Sequence, residues 1–493
     1  MYLGIDLGLG SLKVSLVRSD GVLVAEASSG VATDNREPGR AEQNPVDWER
    51  AMAEALKSLG SRADLTQVTA ISFTAGTHST VLLGRDDEVL RPVIMWSDQR
   101  ANTEAEDLNR RLEDRLIAIG HNRAAPTWSI SPLFWLRRNE PDVVERVQTV
   151  LFPKDWLRMQ LTGDRLTDRI DAQGTLMLDV DRMQWSQELC DAIGWKLDTL
   201  PEVRNPTDLA GPVLPQAATR YGLRAGTPVY VGTCDTAAEV WSAGAIRPGD
   251  TVVKLASAGV VSVVCAKPTK LPDVPSKGFV MPGQFYALGA INSCATAHKW
   301  VADLLLGRSA DGDAFNELDV LAKSIAPGSE GLLFHPYLVG ERAPYWDSGL
   351  RASFVGMNIT HGRGHVMRAL YEGVAFALRD AARPMRDAGL RIGPATLIGG
   401  GAKSDLWAQV IADVLNIPLR RPVHGDASYG AALIAAVGAG AFESEGQAIE
   451  TCVAFGPDIL PDPERAAVYD VLFGRYRRVK DLLTDINHKI SGG

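Results

Sequence analysis

The alternation of apolar and polar positions predicts a strand–turn–strand unit at the start of the chain. Residues 2–7 form a short apolar run that ends in Asp6-Leu7. Gly8-Leu9-Gly10-Ser11 is a turn, and residues 12–18 alternate as a returning strand. Ser19-Asp20-Gly21 then makes a hairpin turn into a third strand over residues 22–28. A helix is predicted at 45–59, because Asn44 suits an N-cap and Pro45 the first helical position. Residues 68–73 predict another strand, ending at Thr74-Ala75-Gly76.

A similar succession returns in the second half. Residues 229–232 predict a strand that ends near Asp235, and 237–243 a helix. Two strands, 251–255 and 260–265, flank the turn Ala256-Ser257-Ala258-Gly259. Leu397-Ile398 ends a strand that runs into Gly399-Gly400-Gly401, with a helix over 404–414. Two copies of one pattern predict a duplicated α/β architecture. A linker falls near 245–250, which places the domains at 1–244 and 245–493. The tail, 463–486, predicts one amphipathic helix with Val468, Leu472, Val479, Leu482, Leu483 and Ile486 as the stripe that packs on the body.

Length agrees with that division, since 493 residues exceed one ordinary core. A chain 45% hydrophobic and 23% charged is globular, which excludes disorder, coiled coil and disulfide scaffold for the whole. The net charge of −9, without Lys/Arg blocks, disfavours nucleic acid and anionic membranes but leaves an anionic substrate open. The first residues carry no signal-peptide pattern, and the most apolar stretch, 430–442, is too short to span a bilayer. Five scattered cysteines fit free thiols, so the expected compartment is cytoplasmic. The histidines show no paired metal-ligand spacing.

Four segments carry candidate chemistry. Asp6 with Gly8, Gly10, Ser11 and Lys13 sets a carboxylate, a glycine turn and an ammonium about one strand end, which suits Mg²⁺ and phosphate but also fits a plain solvated hairpin. Thr77 and His78, followed by Trp96, Asp98 and Arg100, suit a polyhydroxylated ligand, with the aromatic face against its carbon skeleton. His78 alone is as well explained as a structural histidine. Asp235, before a helix of small residues, is placed as a general base or as an N-cap. Gly399-Gly400-Gly401 lets backbone approach a nucleotide ahead of a helix N-terminus. No P-loop or dinucleotide fingerprint is present.

Together these pieces resemble the FGGY carbohydrate kinases over essentially the whole chain. The most specific segment is Ser353-Phe354-Val355-Gly356-Met357, then seven residues, then His365-Val366-Met367-Arg368-Ala369-Leu370-Tyr371-Glu372-Gly373, with Pro336 to Pro344 as its lead-in. Lys154-Asp155-Trp156-Leu157-Arg158, Leu161-Thr162-Gly163 and Asp171-Ala172-Gln173-Gly174-Thr175 are most similar to the xylulokinases of that family. The resemblance implies a duplicated actin-like (ribonuclease H-like) ATPase fold, two domains with an intervening cleft. It implies transfer of the γ-phosphate of ATP, with Mg²⁺, to the terminal hydroxyl of a ketopentose, D-xylulose first, with another ketose or a polyol as the alternative. A weakly active sugar- or nucleotide-binding homologue is the other reading. By the same resemblance Asp235 is the catalytic base and a metal residue with Asp6. Thr77, His78, Asp98, Arg100 and Thr236 fall on the sugar side, in the first domain. Gly8, Gly10, Ser11, Lys13, Ser257, Gly259, Gly400, Gly401 and Lys403 fall on the nucleotide. The implied partners are the sugar and ATP, neither nucleic acid nor membrane, and a homodimer.

The chain departs from the family at several of these points. Leu9 and Gly10 replace hydroxyl residues of the first phosphate loop, and Ala256 and Ala258 leave Ser257 as the only hydroxyl of the second. Reduced turnover or a weaker KM for ATP is expected. Thr236 stands for the usual Asn, Thr77 for the usual Met, and Pro132 for the usual Lys of the N-terminal signature.

Overall fold

The predicted opening hairpin forms the middle of a six-stranded sheet in a computed structural model that describes residues 1–310 and 312–491. Its strands are β1 (Tyr2–Leu7), β2 (Ser11–Val17), β3 (Leu23–Gly30), β4 (Ala70–Ala75), β5 (Leu209–Pro212) and β6 (Pro228–Cys234), in the order β5-β6-β4-β1-β2-β3. β1 runs parallel to β4 and antiparallel to β2, and β4 runs parallel to β6. The alternating Leu3, Ile5, Leu7 and Leu12, Val14, Leu16 bury in one cluster with Trp48, Met52 and Leu56 of the helix Pro45–Gly60. That helix starts where expected, with the Val46 amide donating to Asn44 Oδ1 at 3.1 Å.

The sheet belongs to the first of two compact units, Met1–Ile246 with Ala266–Tyr286 and His424–Val453. In this unit the helix Ala427–Gly438 lies directly on β1, because Gly4 has no side chain. A Cβ there would strike the Ser428 carbonyl and the Ala432 amide. Gly430 gives the same helix close approach to the helix Asp235–Ser242, where a Cβ would fall 2.7 Å from the Ala238 carbonyl oxygen.

The second unit takes Arg247–Cys265, Ala287–Val423 and the chain from Ala454 onward. It repeats the central motif. β7 (Thr251–Leu255) runs antiparallel to β8 (Gly259–Cys265) and parallel to β9 (Ala395–Ile398), which in turn pairs in parallel with β10 (Leu419–Arg420). The chain thus has the two-domain α/β fold that the duplicated pattern predicts.

The tail helix Pro463–Ser491 buries Leu472 of the expected stripe but otherwise a different face. Ala466, Tyr469, Leu472 and Tyr476 are inward, whereas Leu482 is 68% and Ile486 51% exposed. The reason is polar anchoring by aromatic hydroxyls. The Tyr469 hydroxyl donates to Glu372 Oε1 at 2.8 Å and accepts from Arg368 Nη2 at 2.7 Å, and the hydroxyls of Tyr476 and Tyr337 share a bond of 2.8 Å. Glu372 also receives the Gly328 amide and the Ser329 hydroxyl, both at 2.9 Å. The signature segment therefore owes Arg368 and Glu372 to a buried structural network. Among the described residues no helix is long and apolar enough to cross a membrane.

Candidate active site

The parallel strands of the first unit bring three candidates to their C-terminal ends, where open α/β sheets bind ligands. Register sets Asp6 opposite Lys13 on β2 and opposite Thr74 on β4. The Thr74 hydroxyl donates to Asp6 Oδ1 at 2.9 Å. β6 joins the row through a bulge at Gly232, whose φ of 76° and close approach to the Phe73 carbonyl require glycine. The bulge leads to Asp235 at the first turn of its helix, where Oδ1 accepts the Thr236 amide at 2.6 Å and the Thr236 hydroxyl at 3.1 Å. Cys234, not Asp235, occupies the N-cap position. Burial, and then the Asp235 charge, push the Asp6 carboxyl well above the usual carboxylate range against the Thr74 bond, and Asp426 and Glu239 add to the push. Lys13 donates to Asp426 Oδ2 at 2.8 Å and pairs with Glu26 at 2.7 Å. In the turn before it, the Gly8 amide bonds the Ser11 carbonyl at 2.9 Å and Gly10 faces open space.

A second cluster of the same unit gathers about His78, which holds a left-handed φ of 77°. Its Nδ1 lies 2.7 Å from the Gly174 carbonyl oxygen, and its Nε2 lies 3.1 Å from Nζ of Lys277. The ring packs on Trp128 with centroids 4.6 Å apart. Burial and then the Lys277 charge push the His78 pKa well below the ordinary histidine value. Lys277 also donates to Thr77 Oγ1 at 3.3 Å and sits 5.0 Å from the Trp128 ring centroid. Trp96 covers Gly76: a Cβ there would lie 3.1 Å from the indole edge and 4.0 Å from Asp235 Oδ2. Trp96 and the catalytic candidate thus share one corner.

Asp98 and Arg100 are spent on each other. Asp98 accepts the Ala41 amide at 2.6 Å, the Arg100 amide and Nε at 2.9 Å, and Arg100 Nη2 at 2.8 Å. Arg100 Nη1 pairs with Glu42 at 2.7 Å. Under the cluster lies a fully buried charge network. Lys154 Nζ meets Asp155 at 2.5 Å, Asp168 at 3.0 Å and Asp171 at 3.3 Å. Arg158 donates to Asp155 and to the Val231 carbonyl, each at 2.7 Å, which ties the network to β6 just before its bulge.

The remaining candidates lie in the second unit. Ser257, Gly400, Gly401 and Lys403 line one cavity of about 1680 Å³ with His298 and Phe315, whose rings stack at 4.7 Å. Gly259 does not line it; its Cα is packed under Ile291 and Leu378. The three consecutive glycines have separate reasons. Gly399 has φ 92°, Gly401 abuts the Trp407 ring, and only Gly400 faces open space. Ser404 then caps the helix Asp405–Leu415 by accepting the Trp407 amide at 3.1 Å.

The reading of the sequence named Asp6, Lys13, Thr77, His78, Asp235 and Thr236 as candidates, and all six lie in the first unit. It passed over Lys277 and Trp128. A lone lysine in the short strand Ser276–Gly278 carries no motif, and only its burial marks it. Among the described residues no three or more His, Cys, Asp and Glu side chains form a closed metal site.

Known proteins share the sequence pattern and the fold of this chain. Sequence models of the N-terminal and C-terminal domains of the FGGY family of carbohydrate kinases match residues 1–241 and 256–439. The chain is 34% identical to a xylulose kinase of Lactococcus lactis over 99% of this chain and 98% of that one. It is 32% identical to a xylulose kinase of Bacillus subtilis over 98% and 97%. A gluconokinase of Bacillus subtilis is 26% identical over 90% of this chain and 88% of its own. The crystal structure of a xyloylose kinase from Brucella ovis superposes with a TM-score of 0.90 at 31% identity, covering 98% of this chain and 99% of that one. The chain belongs to the FGGY family of carbohydrate kinases. It is a sugar kinase, a phosphotransferase with an alcohol group as acceptor.

Proposed function

We propose that this enzyme transfers the γ-phosphate of ATP to the terminal hydroxyl of a ketopentose, D-xylulose, giving D-xylulose 5-phosphate. The observation that carries the reading is the placement of Asp235 beside Asp6 and under Trp96, at the strand ends that also lead to His78. Asp235 accepts the proton of the attacking hydroxyl as its oxygen approaches phosphorus in line and ADP leaves. Trp96 packs on the carbon skeleton, and Thr236 holds the Asp235 carboxylate so that Oδ2 faces the acceptor. Asp98 and Arg100, whose mutual bonds fix the loop after Trp96, position that loop.

Mg²⁺ fits the carboxylate row. Asp6 feels the charge of Asp235 and, more weakly, those of Asp426 and Glu239, an accumulation that a hard divalent cation relieves. Asp6 and Asp235 would hold it, and when bound it neutralises phosphate charge. The amides of the turn Gly8–Ser11, Lys13 and Ser257 serve the phosphates, and Gly259 shapes the Ser257 turn. The cavity by His298, Gly400, Gly401 and Lys403 takes the nucleoside. This reading gives the sugar side to residues 1–244 and the nucleotide side to 245–493. Leu9, Ala256 and Ala258 lower turnover or weaken the KM for ATP because hydroxyl donors are missing.

An ADP-release assay with D-xylulose tests the proposal. Asp235→Ala should lower kcat by about 10²- to 10⁴-fold, the usual contribution of general-base catalysis, with a smaller change in KM. Unchanged turnover in that variant removes Asp235 from the mechanism.

A further inference from the structure

His78 is the family's sugar-contacting histidine by resemblance, yet both of its ring nitrogens are engaged inside the protein. A carbonyl oxygen only accepts, so Nδ1, 2.7 Å from that of Gly174, carries the ring proton and donates it. The neutral ring then offers one lone pair, on Nε2, and this accepts from Lys277 Nζ at 3.1 Å. No ring nitrogen is left for a sugar hydroxyl. The ammonium is the group with donors to spare. Of its three N–H bonds, one goes to His78 and one to Thr77 Oγ1 at 3.3 Å, and among the described residues no carboxylate pairs with it. It is buried, which lowers its pKa from the ordinary lysine value, it stands over Trp128, and the charges of Asp171, Asp235 and Asp168 offset part of that fall. The segment that supplies Trp128 also supplies Ser129, whose hydroxyl donates to the His78 carbonyl at 2.7 Å. That same segment has Pro132 where the family signature carries a lysine.

We propose that Lys277 selects the acceptor by donating to a proton-free sp² oxygen of the sugar, while His78 acts as a positioning residue that holds the ammonium in place. The inference rests on the sugar-kinase reading of this site. An ammonium donates and never accepts, so it matches a ketone or carboxylate oxygen. A polyol hydroxyl at the same carbon accepts less strongly and brings a proton that needs an acceptor of its own. The ligand chemistry is shared by a ketose and an aldonate, and the test separates them.

Calorimetric titration without nucleotide measures Kd for D-xylulose, xylitol and D-gluconate on the intact enzyme, so it does not depend on turnover. Lys277→Met should weaken D-xylulose by about ten- to a hundredfold while xylitol changes little. Lys277→Arg should keep part of the preference, and melting curves report whether each variant is folded. A loss centred on D-gluconate instead assigns the same donor role to an aldonate. In the Lys277→Met background, His78→Ala should change the ratio of D-xylulose to xylitol affinities no further. An equal loss for all three ligands, or binding of none by the wild type, overturns the proposal. So does a further fall of the ratio in the double variant. Failure of the kinase reading shows separately, as absent ADP release with the sugars that bind.

Discussion

Asp6 and Lys13 face each other across β1 and β2, yet Lys13 turns to Asp426 and Glu26, while Asp6 takes the Thr74 hydroxyl. Side-chain partners, not register, decide what each charge is free to do. The same holds at His78, where burial and the Lys277 charge disfavour protonation. An unfolded histidine titrates near pH 6.5, so below that value the unfolded chain binds a proton that the folded ring refuses. The His78 contribution to stability is therefore present above about pH 6.5 and lost as pH falls from there toward the folded pKa. NMR of the His78 ring should show no midpoint near 6.5, and Lys277→Met should move the midpoint upward. A midpoint at the ordinary value in the wild type would contradict the assigned ring state.

At the scale of elements, two features carry the sites. The buried network of Lys154, Asp155, Arg158, Asp168 and Asp171 braces β6 ahead of its bulge. Lys154→Met leaves Asp168 and Asp171 without their cation, Asp155 keeping Arg158, and denaturant unfolding should show a loss of about 3–5 kcal/mol. A loss below about 1 kcal/mol would mean that the network does not hold the strand. The glycine turn after β9 gives a sharper contrast. At Gly401 a Cβ would lie 2.7 Å from the Trp407 ring and 2.8 Å from Leu255 Cβ, whereas at Gly400 nothing lies within 4 Å. Gly401→Ala should destabilise the protein by about 1–3 kcal/mol. Gly400→Ala should leave the melting temperature unchanged and raise KM for ATP. Equal melting temperatures for the two variants would refute the packing account.

Across the whole molecule, what could be read from the sequence was local. The hairpin 2–17 and its counterpart 251–265 stand out because alternation and a glycine-bearing turn are written within a few residues. Asn44 and Pro45 announce a helix start for the same reason. The return of Ala266–Tyr286 and His424–Val453 to the first unit has no local marker, since it depends on contacts far apart in sequence. Lys277 arrives by that route, as does Asp426 beside Lys13. The tail stripe misled because apolar period alone chose Leu482 and Ile486, whereas tyrosine hydroxyls bonded to Arg368 and Glu372 fix the helix by another face. Family resemblance supplied roles for Asp6 and Asp235 that the residues alone left open.

The most direct measurement is the specificity constant kcat/KM for ADP release with Mg²⁺-ATP and a panel of D-xylulose, D-ribulose, xylitol, glycerol and D-gluconate. The account predicts acceptor-dependent release, with D-xylulose giving the largest constant and a product phosphorylated on its terminal hydroxyl. ADP release independent of any acceptor, or a constant for D-xylulose no larger than for glycerol, would contradict it.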